Sequence, residues 1–104
     1  MKTDDTIVLF ARLKVKKNAV EEARKAALGI IAVSRAEAGC INYDFHQSIE
    51  DETLFLWHET WTNREAIETH GNSSHFKEFS RAIKDFTEEP LQVTLTKMVS
   101  EKAR

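Results

Sequence analysis

From Ile7 the chain alternates with a period of two. Ile7, Leu9, Ala11, Leu13 and Val15 fall on one side and Val8, Phe10, Arg12 and Lys14 on the other, which predicts a strand over 7–15. The period then lengthens: Val20, Ala23, Ala27, Ile30, Ile31 and Ser34 recur at helical spacing. Asn18 with Glu21 three residues on matches a capping box, so an amphipathic helix is expected from Asn18 to about Ala36. Past Gly39 the alternation returns over 40–47, with Ile41, Tyr43, Phe45 and Gln47 opposite Asn42, Asp44 and His46. The polar turn 48–52 leads into a third strand, 53–61, which pairs with the second as a hairpin. This strand is apolar on both faces: Phe55, Trp57 and Trp61 on one, Leu54 and Leu56 on the other.

Thr62 with Glu65 forms a second capping box and starts a short helix to about His70. Gly71–Asn72 breaks it, and Ser73 or Ser74 caps a further helix with the stripe Phe76, Phe79, Ile83 and Phe86. After Pro90 a last strand is expected over 91–99. The order β-α-β-β-α-β predicts an α+β fold, the ferredoxin-like split, as one domain over 1–104 with an ordered core of about 7–99. Two helices cover one face of a four-stranded sheet. Val8, Phe10, Leu54 and Leu56 on the other face therefore ask for a second sheet, and a homodimer through the sheet face is the economical source.

Bulk properties narrow the function classes. The chain has 104 residues, a formal net charge of -2 and interspersed charges, with no basic stripe for nucleic acid. Its longest apolar run falls far short of the ~18 residues of a membrane span, and the polar N-terminus does not read as a signal peptide. The single cysteine, Cys40, fits a reducing compartment, so a cytoplasmic protein is expected.

The candidate chemistry gathers between Glu59 and Phe76. His75, in the first turn of a helix beside the apolar stripe, reads as a general acid/base or as a partly buried histidine satisfied by a carbonyl. His70 faces the core side with Ile67 and either lines a pocket or caps its helix. Glu59 shares a face with Trp57 and Trp61; under the helices its pKa should rise, which suits a proton acceptor, while at an edge it would pair with a cation. Trp57 and Trp61 would stack a planar ligand or serve as core, and Tyr43 would contact substrate or pack across strands. His70 and His75 do not sit at i and i+4 on one helix, and His46 and His58 point to the opposite sheet face, so no metal is expected. No nucleophile triad, phosphate loop or nucleotide fingerprint occurs, and no cofactor is expected.

Glu37–Ala38–Gly39–Cys40, Tyr43, Glu59-x-Trp61, Glu65–Ala66, His70 and Ser74–His75–Phe76 together resemble the antibiotic biosynthesis monooxygenase family over Ile7 to Val99. The resemblance implies a dimeric α+β barrel and, in some members, cofactor-independent oxidation of phenols or quinols to quinones, in which the small-molecule substrate supplies its own electrons. On that reading His75, Glu59 and Tyr43 are the catalytic candidates, and Trp57, Trp61, His70, Phe76 and Phe79 bind substrate. Other members isomerise a phosphorylated autoinducer, and a non-catalytic, stress-associated binding protein is a third reading. A heme-degrading branch uses an asparagine in the first strand and a histidine inside the last helix. Ala11 and Ser80 stand at those positions here, which speaks against heme breakdown.

Overall fold

The computed structural model describes residues 5–100, and its elements follow the expected β-α-β-β-α-β order. Strand β1 spans Ile7–Lys14, β2 Cys40–Gln47, β3 Leu54–Trp61 and β4 Gln92–Thr96. They form one antiparallel sheet in the order β2-β3-β1-β4. The helices α1 (Val20–Leu28), α2 (Ile31–Arg35), α3 (Arg64–Gly71) and α4 (Ser74–Ile83) cover one face. Beneath them Leu9, Ala11, Leu13, Phe55, Trp57 and Trp61 are buried with Ala23, Ala27, Phe79 and Ile83. The ferredoxin-like α+β architecture is thus present.

Several local expectations are corrected. The first helix is two: α1 ends at Gly29, Ile30 N–H turns back to Ala27 O (3.3 Å), and α2 restarts on Ile30 O. Asn18 does not cap it, because 17–19 form a 3-10 turn that Ala19 N–H closes on Lys16 O (3.0 Å). Asn63, not Thr62, caps α3 by accepting from Ala66 N–H (2.9 Å). Thr62 N–H is still engaged with Gly39 O (2.9 Å), so the helix begins one residue later. Ser73 caps α4, accepting from Phe76 N–H (3.2 Å), and that helix ends at Ile83, before Phe86. A bulge between Cys40 and Asn42 turns Ile41 out of the Tyr43–Phe45 face, leaving it 57% exposed. The last strand stops at Thr96, since β1 opposite it has nearly run out.

On the face away from the helices lie Val8, Phe10, Leu54 and Leu56, as the alternation requires; Phe10 and Leu56 are exposed and Phe10 rests on His58, centroids 5.3 Å apart. Among the described residues no helix is long and apolar enough to cross a membrane.

Candidate active site

Strand β3 delivers the central side chains. Its inward residues Phe55, Trp57, Glu59 and Trp61 alternate toward the helices, and Glu59 stands level with Leu9 on β1 and Tyr43 on β2. Glu59 is only 4% exposed and accepts a hydrogen bond at Oε1 from Trp61 Nε1–H (2.8 Å). Burial pushes its carboxyl up to about 7, with the charge of Glu37 adding to the rise and the indole hydrogen bond opposing it. Near neutral pH it therefore exchanges a proton readily.

Glu59 opens on a cavity of about 120 Å³ between sheet and helices. Leu9, Ala11, Ile67, Phe76, Phe79, Leu91 and Val93 make its apolar wall, and Tyr43, Trp57 and His70 join Glu59 as the groups with polar atoms. Among the described residues no lysine or arginine lines it. Trp57 Nε1–H is buried without an acceptor among the described residues. The Tyr43 phenol is held well above its ordinary range by burial and then by the Glu59 charge, so it stays a neutral hydroxyl. Ser34 Oγ lies beside it and partly offsets the shift, without a hydrogen bond of good geometry. Cys40 is likewise pushed up to about 11, by burial first and by Glu59 and Glu37 next, and its thiol stays protonated.

A second cluster adjoins the cavity. The turn after α2, closed by Glu37 N–H on Ser34 O (3.1 Å) and Cys40 N–H on Glu37 O (3.0 Å), fixes Glu37 against α3 and α4. Gly39 in this turn is packed so closely on α3 that a Cβ there would meet Ala66 Cβ at 2.3 Å. Glu37 Oε2 accepts from His70 Nδ1–H (2.6 Å) and from His75 Nε2–H (2.9 Å). His70 sits among Trp61, Phe76 and Tyr43, with centroids at 4.8, 5.0 and 5.4 Å. Its pKa is lowered, by burial against the opposing pull of Glu37, so the ring is neutral at pH 7.

Six of the eight expected site residues, Tyr43, Trp57, Glu59, His70, Phe76 and Phe79, line the cavity. Trp61 lies behind Glu59, and His75 lies behind Glu37, outside the wall. Glu37 was not among the expected site residues. It stands 33 and 38 positions from the two histidines, and only the Glu–Ala–Gly–Cys run hinted at it. The Gly71–Asn72 break was expected to separate the histidines. Instead Ser73 N–H closes the turn on His70 O (3.1 Å) and both rings reach one carboxylate. The donor atoms of Glu37, His70 and His75 lie within 4.8 Å of one another, a set of two imidazoles and one carboxylate of the kind that holds a divalent ion. An ion would have to displace both hydrogen bonds. As it stands the cluster is a hydrogen-bonded triad.

Residues 6–82 match the model of a family described as antibiotic biosynthesis monooxygenase. The uncharacterized protein sll1783 of Synechocystis is 34% identical over 91% of this chain, which spans 65% of that longer protein. YcnE of Bacillus subtilis, provisionally named a monooxygenase, is 34% identical over 88% of this chain and 97% of its own. The crystal structure of PA3566 from Pseudomonas aeruginosa superposes with a TM-score of 0.88 at 29% identity, covering 96% of this chain and all of that one.

Proposed function

Because the chain belongs to the antibiotic biosynthesis monooxygenase family, we propose that it is a cofactor-independent monooxygenase that oxidises a planar phenol to a quinone with dioxygen. The observation that carries this reading is a buried carboxyl, Glu59, poised near neutrality on the wall of an apolar cavity. Glu59 takes the phenolic proton. The electron-rich ring then supplies electrons to dioxygen, which adds at a ring carbon bearing hydrogen, and Glu59 returns its proton to the terminal peroxide oxygen. Loss of the ring C–H proton and cleavage of the O–O bond leave a quinone carbonyl and water. One oxygen atom enters the product, the other leaves as water, and the ring is the only reductant consumed.

Trp57 Nε1–H, which has no partner among the described residues, donates to a substrate oxygen, and the neutral Tyr43 hydroxyl orients one. A wall to which the described residues contribute no lysine or arginine favours an uncharged aromatic over a phosphorylated compound, whose dianion would be desolvated beside Glu59. The test is oxygen uptake by the purified, metal-free protein with hydroquinones and polycyclic phenols. Saturable uptake above autoxidation is expected. Trp57→Phe should raise KM about 10-fold, the cost of one hydrogen bond to a charged oxygen. Saturable binding of the same phenols with no uptake would replace the enzyme by a binding protein.

The reading includes a homodimer through the open sheet face, where Phe10 and Leu56 are exposed and no helix of the described residues lies. Sedimentation should give twice the chain mass, and Phe10→Glu should return the monomer by placing a charge at the centre of the interface. A monomeric unmutated protein at micromolar concentration would refute this.

A further inference from the structure

His70 belongs at once to the cavity wall and to the Glu37 cluster. A carboxylate only accepts, so the 2.6 Å contact of Glu37 Oε2 fixes the hydrogen of the neutral ring on Nδ1 and leaves the lone pair on Nε2. Nε2 has no hydrogen-bond partner among the described residues, while aromatic rings from β2, β3 and α4 pack around the imidazole. The edge left for a cavity occupant is therefore basic.

Resting on the oxygenase reading above, we propose that His70 Nε2 is a second proton-transfer group of the site, removing the ring C–H proton as the hydroperoxide collapses to the quinone. The C–H electron pair becomes the carbonyl π bond, the O–O bond breaks, and the departing hydroxide takes the proton from the imidazolium to form water. Both Glu59 and His70 return to their starting states. The two groups serve different ends of the ring. Glu59 projects from the sheet and His70 from α3, so a phenol lying between them presents its hydroxyl to one and its reacting carbon to the other. Glu37 is a positioning residue that fixes the tautomer. His75, donating to the same oxygen, is a positioning residue that holds Glu37 in place. The titratable groups around His70 are Glu37 from the α2–β2 turn, His75 from α4, Tyr43 from β2 and Glu59 from β3. Burial keeps the ring neutral among them.

Two measurements test this. Long-range 1H–15N NMR of the unmutated protein at neutral pH should show His70 as the Nδ1–H tautomer, and Glu37→Gln should lose that preference. A His70 found as Nε2–H or as the cation overturns the proposal, and this arm requires no variant to fold. Under argon in D2O, the protein should accelerate exchange of carbon-bound hydrogen in 1-naphthol. His70→Asn keeps a donor toward Glu37 and deletes Nε2, and should slow exchange and oxygen uptake about 100-fold at unchanged circular dichroism. Added imidazole should restore part of both rates. Oxygen uptake undiminished in folded His70→Asn refutes the role of His70 and leaves the oxygenase standing. Exchange without oxygen uptake in the unmutated protein refutes the oxygenase and leaves His70 as a proton-transfer group. Neither exchange nor uptake refutes both.

Discussion

Glu59→Gln is expected to lower oxygen-dependent turnover by about 100-fold or more while making the fold more stable at pH 8. The first effect follows from removing the proton acceptor: glutamine fills the same space and still accepts from Trp61 Nε1–H, but takes no proton. The second follows from linkage. The folded chain holds the Glu59 proton more tightly than the unfolded chain, with a carboxyl at about 7 against an ordinary 4.5. The native state is thus unpenalised below about 4.5 and loses stability as pH rises through about 7, by about 3 kcal/mol in all. Glutamine does not titrate, so the gap between variant and parent opens across that interval. Urea midpoints at pH 5 and pH 8 measure it. A gap of equal size at both would show that Glu59 is not buried in its charged form.

Trp61→Ala is expected to destabilise the domain by about 3–5 kcal/mol, the range for emptying a fully buried aromatic site. Trp61 is 0% exposed and packs against His70 and Tyr43 while it donates to Glu59. The loss is a large share of the stability of a domain this size, about 5–15 kcal/mol, and equals all of it only at the lower end. Trp61→Phe separates the packing from the hydrogen bond. It retains most of the ring, removes the donor that favours the ionised carboxyl, and so moves Glu59 further up. The rise of activity with pH, which follows ionisation of Glu59, should shift to higher pH in Trp61→Phe. An unmoved pH profile with a lowered urea midpoint would make Trp61 a packing residue alone.

A variant such as Glu59→Gln, stabilised but inactive, is the behaviour of a site that keeps an unfavourable group for chemistry. The indole donor of Trp57, without an acceptor among the described residues, belongs to the same pattern. Both lie on β3, whose alternation puts them on one face; the packing of the helices makes that face the inward one. The turn geometry was less visible. The sequence pointed to Thr62 as the cap of α3, and what moves the cap to Asn63 is the bond from Thr62 N–H to Gly39 O, a contact 23 residues away. The bulge at Cys40 likewise depends on how β2 meets β3, and it sends Ile41 outward against the simple period of two.

By itself the sequence determined the element order and which residues of a strand share a face, so that Glu59 falls with Trp57 and Trp61 on β3. These rest on periods of 2 and 3.6, which are local properties of the backbone. The tertiary structure alone decided that Glu37 joins His70 to His75, that His75 and Trp61 stand behind the wall, and that Leu91 and Val93 help to close the cavity. Those relations depend on the approach of segments tens of residues apart. Their distances are set by packing the helices on the sheet, and no local pattern encodes them.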